Sequence, residues 1–234
     1  MTTQNRERIA ADYERMWNTS RTRLRAGDIE PDPVPGDQSG RWGVSAVIRP
    51  VGPVLTRLAE AAEHLKAFAG DRHVIYGRSN LHTTLRSIEG YRSDVDGHDG
   101  KVRQYKETLQ NILRRFGGIR IAYRGLTCDS TSIMAQGWPM DDTLQEIREA
   151  FHEELQQRNL LSGPEKAAIR QTSHASLTVF TRALADAEKL ADHVRDNRNT
   201  DYGTCEVDTI DLVRYRRTES DVALVAFASL RAGA

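Results

Sequence analysis

Apolar positions along the chain change period in a regular order, and that order predicts the elements. Residues 5–24 have a polar, helix-forming pattern and lead into AGDIEPDPVPGDQSG, whose Pro and Gly content marks a linker. Residues 1–40 therefore read as an N-terminal helical extension and linker. Residues 42–48 then read as a strand, and Leu55, Leu58, Ala62, Leu65 and Phe68 recur at helical spacing. A strand over residues 80–88, a helix carrying Val102, Tyr105, Leu109, Ile112, Leu113 and Phe116, and a strand over 119–126 complete a first unit. The order repeats as a strand over 132–138, a helix with Leu144, Ile147, Phe151 and Leu155 on one face, and a strand over 173–180. A helix through Leu184, Ala187, Leu190 and Val194 follows, then strands over 206–215 and 222–230. The repetition predicts an α+β protein of two similar lobes, approximately residues 41–130 and 131–230.

Composition narrows the class without identifying a ligand. A chain of 234 residues that is 38% hydrophobic and 28% charged has the balance of a globular protein, and no apolar run approaches the ~18 residues of a membrane span. The polar start MTTQNRERIAADYERMW has no apolar signal core, so a cytoplasmic location without membrane attachment is expected. Cys128 and Cys205 lie too far apart for a local metal knuckle and suit buried free thiols in a reducing compartment. The 33 basic and 33 acidic residues cancel overall. Locally, Lys101, Arg103, Lys106, Arg114, Arg115, Arg120 and Arg124 face only Glu107, a balance of 7 − 1 = +6. Such a stretch reads either as a surface that tracks a phosphate backbone or as a solvated helix face.

The chemistry is concentrated in two short matching strands. One reads Leu81, His82, Thr83, Thr84, Leu85 and the other Ser173, His174, Ala175, Ser176, Leu177, so both contain H-x-[ST]-L. Strand side chains alternate, which puts His82 with Thr84 on one face and His174 with Ser176 on one face of the other strand. If the leucines pack under helices, each imidazole and hydroxyl pair faces a groove between the lobes. At this composition roughly 0.07 chance matches to H-x-[ST]-L are expected per chain, so two matches at corresponding places in a duplicated layout are a signal. None of His64, His73, His98, His152 or His193 has Ser or Thr two residues on.

In these motifs the chain resembles the 2H phosphoesterase superfamily, which contains bacterial RNA 2′-5′ ligase-like proteins and 2′,3′-cyclic phosphodiesterases. The resemblance covers residues 41–230, with further texture in NLHTTLRSI, IRIAYRGLTCDSTSIMAQGWP, HASLTVF and VDTIDLVRYRR. It implies two pseudo-symmetric lobes, each an antiparallel-type sheet with helices packed on its outer face, enclosing a central cleft. It also implies that His82, Thr84, His174 and Ser176 are the catalytic residues.

The residue types suit that chemistry in their own right. Opening a cyclic phosphate needs a base for the attacking water and an acid for the departing ribose oxygen, and two imidazoles can divide those tasks without a metal or cofactor. Hydroxyls of Thr84 and Ser176 can donate to the non-bridging oxygens. Which histidine is base stays open, because the roles exchange with reaction direction. Arg86, four residues after His82, is a candidate for holding phosphate, and Tyr91, Tyr123 and Tyr215 for stacking a base. His152, Glu153 and Glu154 begin a zinc-helix motif but Gln156 replaces its second His, the Asp94–Asp99 run lacks the Gly and Glu of a calcium loop, and no Walker-type loop occurs. The expected function is cleavage of a 2′,3′-cyclic phosphate, a 2′-5′ linkage or a small cyclic nucleotide, by a monomer whose partner is a nucleotide or RNA. The alternative is a module that binds a nucleotide or RNA end without turnover.

Overall fold

The periodic segments fold largely as their spacing predicts, in a computed structural model that describes residues 1–37, 39–162 and 165–233. In chain order the elements are α1 (Thr3–Arg25), β1 (Val44–Ile48), α2 (Gly52–Ala69), β2 (Val74–Ile75), β3 (Thr83–Ser87), α3 (Gly100–Leu113) and β4 (Ile119–Cys128). Then come β5 (Ser132–Pro139), α4 (Thr143–Gln157), β6 (Ala175–Val179), α5 (Ala187–Asp196), β7 (Asp201–Val207), β8 (Thr209–Arg217) and β9 (Val222–Arg231). The apolar stripe of α2 is Val54, Leu58, Ala62, Leu65 and Ala69, and Pro53 in its first turn suits the fixed φ of proline. Asp99 caps α3 by accepting from the backbone N–H of Lys101 and Val102, which explains the acidic run that lacked a calcium-loop pattern.

All strand pairs are antiparallel and join into one sheet of order β7-β4-β5-β6-β3-β1-β8-β9, with β2 beside β6. The two lobes are the two halves of this sheet. They are not the two halves of the sequence. One half takes β4 from before residue 130 together with β5, β6 and β7, and the other joins β1 and β3 to β8 and β9. Helices exchange likewise: α2 packs on β6 and β7, whereas α4 packs on β3. The expected strand over 206–215 is in fact two strands, β7 and β8, separated by Asp208 alone. Those strands occupy positions in opposite halves of the sheet, so a single connecting residue requires the sheet to curl strongly. A single cluster of buried apolar side chains runs through both halves, and Cys128 and Cys205 belong to it as buried free thiols.

The expectation that residues 1–40 form an extension outside the fold is corrected here. Helix α1 buries Ile9, Tyr13, Trp17, Ser20 and Leu24 and packs on α5, β4 and β5. Its low apolar content disguised this, because one narrow stripe, two of whose members are aromatic, supplies the contact. The Tyr13 hydroxyl donates to the Gly137 carbonyl at 3.1 Å and accepts from the backbone N–H of Gly137 at 3.0 Å and of Ser173 at 3.1 Å. Gly137 is required beside it, since a Cβ there would lie 1.9 Å from the Ser173 carbonyl oxygen. The linker also docks: Asp32 donates its N–H to the Phe180 carbonyl at 2.7 Å and accepts from Trp42 Nε1 at 3.0 Å.

Deleting residues 1–40 is therefore expected to leave an aggregated or unfolded product. Tyr13→Phe, which leaves two buried N–H groups without an acceptor, is expected to cost about 1–3 kcal/mol in urea denaturation.

Candidate active site

The two H-x-[ST]-L segments meet at the centre of the sheet. The halves join there through one paired residue couple, Thr83 with Ala175, and each of these follows the histidine of its motif. Continuing the antiparallel register by one residue each way places His82 opposite Ser176 and Thr84 opposite His174. Both strands start one residue after the histidine, so each imidazole stands at the point where β3 and β6 diverge.

Each motif leucine is also a bulge. Opposite β1, Thr84 pairs with Val47 and Arg86 with Ala46, leaving Leu85 without a partner. Opposite β5, Ser176 pairs with Met134 and Thr178 with Ile133, leaving Leu177 without one. An extra residue shifts the alternation of everything beyond it. The next residues facing the cleft are consequently Ser87 and Val179, three positions past each hydroxyl.

The cleft so formed has a volume of about 430 Å³, and His82, Thr84, His174 and Ser176 all line it. His82 is buried, and its Nδ1 lies 2.8 Å from the Asn80 carbonyl oxygen. A carbonyl only accepts, so Nδ1 carries the proton and Nε2 keeps its lone pair. Nε2 stands 3.2 Å from the Tyr215 hydroxyl. Burial pushes the His82 pKa down to about 4. At His174, Nε2 lies 3.4 Å from Arg170 Nη1 and Nδ1 lies 3.2 Å from the Thr172 hydroxyl. Burial, reinforced by the charges of Arg170 and Arg148, holds its pKa well below the ordinary imidazole value. Both rings are thus neutral at neutral pH.

Among the sequence candidates, Tyr215 joins the four motif residues in the cleft. Arg86 does not: the Leu85 bulge turns it from the His82 face, and its fully buried guanidinium meets His152 Nδ1 at 2.5 Å and the Glu165 carbonyl at 2.6 Å. Tyr123 is a core residue with no exposure, bonded at 2.7 Å to Thr83 Oγ1 on the face away from the cleft. Tyr91 lines a neighbouring cavity. None of the seven basic residues between 101 and 124 lines the cleft.

Arg41, Arg170, Glu165 and Tyr76 line the cleft without having been signalled by the sequence. Glu165 accepts from Arg170 Nε at 2.7 Å and from the Ser87 N–H at 3.2 Å, which fixes the Arg170 guanidinium beside His174. Arg41 pairs with Asp32 at 2.8 Å. These residues come from irregular segments, where no periodicity marks an inward position.

Beneath both motifs lies Arg148 of α4, 1% exposed. It donates to the carbonyls of Leu85 at 3.0 Å, Thr84 at 2.9 Å, Thr172 at 3.0 Å and Arg170 at 3.2 Å, and to Ser173 Oγ at 3.3 Å. Burial lowers its pKa to about 9, which still leaves it cationic at neutral pH.

An α+β chain whose antiparallel strands form one curled sheet with helices packed on it is consistent with the fold that the resemblance to 2H phosphoesterases implied, and solved structures share that fold. TT0787 of Thermus thermophilus is 14% identical, with a TM-score of 0.61 over 82% of this chain and 98% of that one. A structure described as a phosphoesterase is 10% identical, with a TM-score of 0.54 over 81% of this chain and 97% of its own. E. coli LigT complexed with 3′-AMP is also 10% identical, with a TM-score of 0.53 over 81% and 97% of the two chains. No family model and no curated protein sequence matches the chain. No helix among the described residues is long and apolar enough to cross a membrane.

Arg148→Met is expected to destabilise the protein by at least about 2–4 kcal/mol, because it strands buried carbonyls on both motif segments. Arg148→Lys is expected to recover part of this, since one ammonium cannot reproduce the guanidinium fork. Urea midpoints of the two variants check both statements.

Proposed function

We propose that the protein is a metal-independent phosphodiesterase that opens a 2′,3′-cyclic phosphate, a 2′-5′ linkage or a small cyclic nucleotide. One observation carries the reading: His82 with Thr84 and His174 with Ser176 face each other across one cleft, at equivalent positions of two strands that meet at a single residue pair. A 3′-AMP complex of LigT, which shares the fold, supports a nucleotide as the ligand class.

In this reading the phosphate lies between the two imidazoles. One takes a proton from the attacking water through its unprotonated ring nitrogen, and the other gives a proton to the departing ribose oxygen. Thr84 and Ser176 donate to the non-bridging oxygens as charge accumulates there, and Arg170 and Arg41 offset the anionic charge. Tyr215, hydrogen-bonded to His82, keeps that ring oriented. The acid must be protonated, which burial and Arg170 oppose in the empty cleft. An entering phosphate anion raises the imidazole pKa values and favours that proton. One chain supplies both histidines, so a monomer is sufficient.

His82→Ala and His174→Ala are each expected to lower turnover of a 2′,3′-cyclic nucleotide, assayed with EDTA present, by about 10²–10⁴-fold while the fold persists. The double variant is expected to be scarcely slower than either single one, because both groups act on one transition state. Near-normal rates in either single variant, or an activity restored only by adding a divalent ion, would overturn the mechanism. Tight nucleotide binding without turnover in the unmodified protein would favour the binding-module reading instead.

The pH dependence follows from the shifted imidazoles. Where His82 serves as the base, it gains a proton only near its depressed pKa of about 4, so the acidic limb of kcat/KM is expected there. The alkaline limb marks loss of the acid's proton and is expected below neutrality in kcat/KM, where the free protein titrates. In kcat it is expected to move up, because bound phosphate favours the protonated ring. Profiles of kcat and kcat/KM with coincident alkaline limbs above pH ~8 would contradict an imidazole acid whose pKa the empty cleft depresses.

A further inference from the structure

Glu165 puts a carboxylate on the wall of a cleft that receives an anion in the reading above, where its charge by itself opposes binding. Its surroundings show what offsets this. Residues 165–174 form no helix or strand, only a turn in which the Ala168 N–H donates to the Glu165 carbonyl at 3.3 Å. Position in such a segment is set by hydrogen bonds, and buried guanidiniums supply them at both ends. Arg86 of β3, with no exposure, donates through Nη2 to the Glu165 carbonyl at 2.6 Å. Arg148 of α4 donates to the carbonyls of Arg170 at 3.2 Å and Thr172 at 3.0 Å. His152, one turn after Arg148 on α4, lies 2.5 Å from the same Arg86 nitrogen through Nδ1, and since a guanidinium only donates, that ring nitrogen is the acceptor.

The carboxylate links these anchors to the cleft. Oε2 accepts from the Ser87 N–H at 3.2 Å, and Oε1 accepts from Arg170 Nε at 2.7 Å and lies 2.6 Å from Arg170 Nη2. Nη1 is then the Arg170 nitrogen turned to His174 Nε2, at 3.4 Å. A carboxylate that takes Nε and Nη2 fixes the plane of the guanidinium fork and with it the direction of Nη1. Charge points the same way. Burial disfavours the cationic forms of Arg86 and Arg148, and the Glu165 charge opposes that effect at both.

We propose that Glu165, anchored through its carbonyl by Arg86, is a positioning residue that touches no reacting atom and acts on a bound phosphate only through Arg170. An Arg170 fork held beside His174 contributes more to phosphate binding than the repulsion of one carboxylate removes. This inference rests on the phosphodiesterase reading for the place of the phosphate, and adds to it the group that orients Arg170.

Glu165→Gln has two effects of opposite sign. By charge alone, neutralising a carboxylate at an anion site strengthens binding, whereas loss of positioning weakens it. The probe is 3′-AMP, titrated by calorimetry at fixed ionic strength against the full chain, Glu165→Gln, Arg170→Ala and the double variant. With Arg170 present, Glu165→Gln is expected to weaken 3′-AMP about tenfold, the worth of one charge-assisted hydrogen bond. In the Arg170→Ala background it is expected to leave the affinity unchanged or higher, because the group it acts through is gone. Unchanged or tighter binding in the single Glu165→Gln variant would overturn the proposal. So would a loss of similar size in both backgrounds, which marks a structural role or a direct contact. Urea midpoints report whether each variant is folded. If Glu165→Gln is not, Glu165→Asp takes its place, keeping the charge but one methylene too short to hold Ser87 and Arg170 together, and the same outcomes decide. The expected pattern in a protein that leaves a cyclic nucleotide uncleaved refutes the phosphodiesterase reading alone, and a protein that binds no 3′-AMP overturns the positioning role.

Discussion

A buried guanidinium without a carboxylate partner among the described residues holds the centre of this molecule together. Arg148 reaches the carbonyls of Thr84 and Leu85 on one motif strand and those of Arg170 and Thr172, with Ser173 Oγ, on the approach to the other. Burying an unpaired charge is costly unless its donors are met, and here carbonyl dipoles and one hydroxyl do so. The need for an anchor is visible in the pairing: the halves of the sheet share only Thr83 and Ala175 between β3 and β6. A junction that narrow lets the strands diverge and open a cleft, and Arg148 keeps the divergence fixed. The spacing of the two histidines depends on it.

Tyr13 performs a related task at the same residue, Ser173. Its hydroxyl satisfies backbone groups of Gly137 and Ser173, so the N-terminal helix is tied to the residue preceding His174. The linker that follows α1 then passes the cleft, where Asp32 holds Trp42 and Arg41. The first 40 residues thereby contribute to both the packing of the core and the charge of the site.

Each motif carries its own bulge, and the two bulges fall at the same place, Leu85 and Leu177. This repetition extends the internal symmetry beyond the identity of the motif residues. It turns Ser87 and Val179 into the cleft and sends Arg86 and Thr178 to the buried side. The symmetry is broken by what surrounds each histidine: a carbonyl and a tyrosine at His82, an arginine and a threonine at His174. Equivalent backbones thus present chemically different imidazoles.

The sequence by itself determined the elements and the histidine corners, because both are local. Helical stripes such as Leu144, Ile147, Phe151 and Leu155 follow from packing one face, and H-x-[ST]-L places imidazole and hydroxyl together by strand alternation alone. Only the tertiary structure decided which strands share a half of the sheet, since antiparallel pairing between residues far apart leaves no periodic trace. It also decided the fate of Arg86 and Tyr123: strict alternation and residue type suggested a ligand contact, and a one-residue bulge and core packing withdrew it. Arg41, Arg170 and Glu165 became legible only in three dimensions, because they lie on irregular segments where position is set by hydrogen bonds rather than by spacing. The same holds for α1, whose narrow stripe of Ile9, Tyr13, Trp17 and Leu24 reads as polar in composition and as core once the sheet is there to receive it.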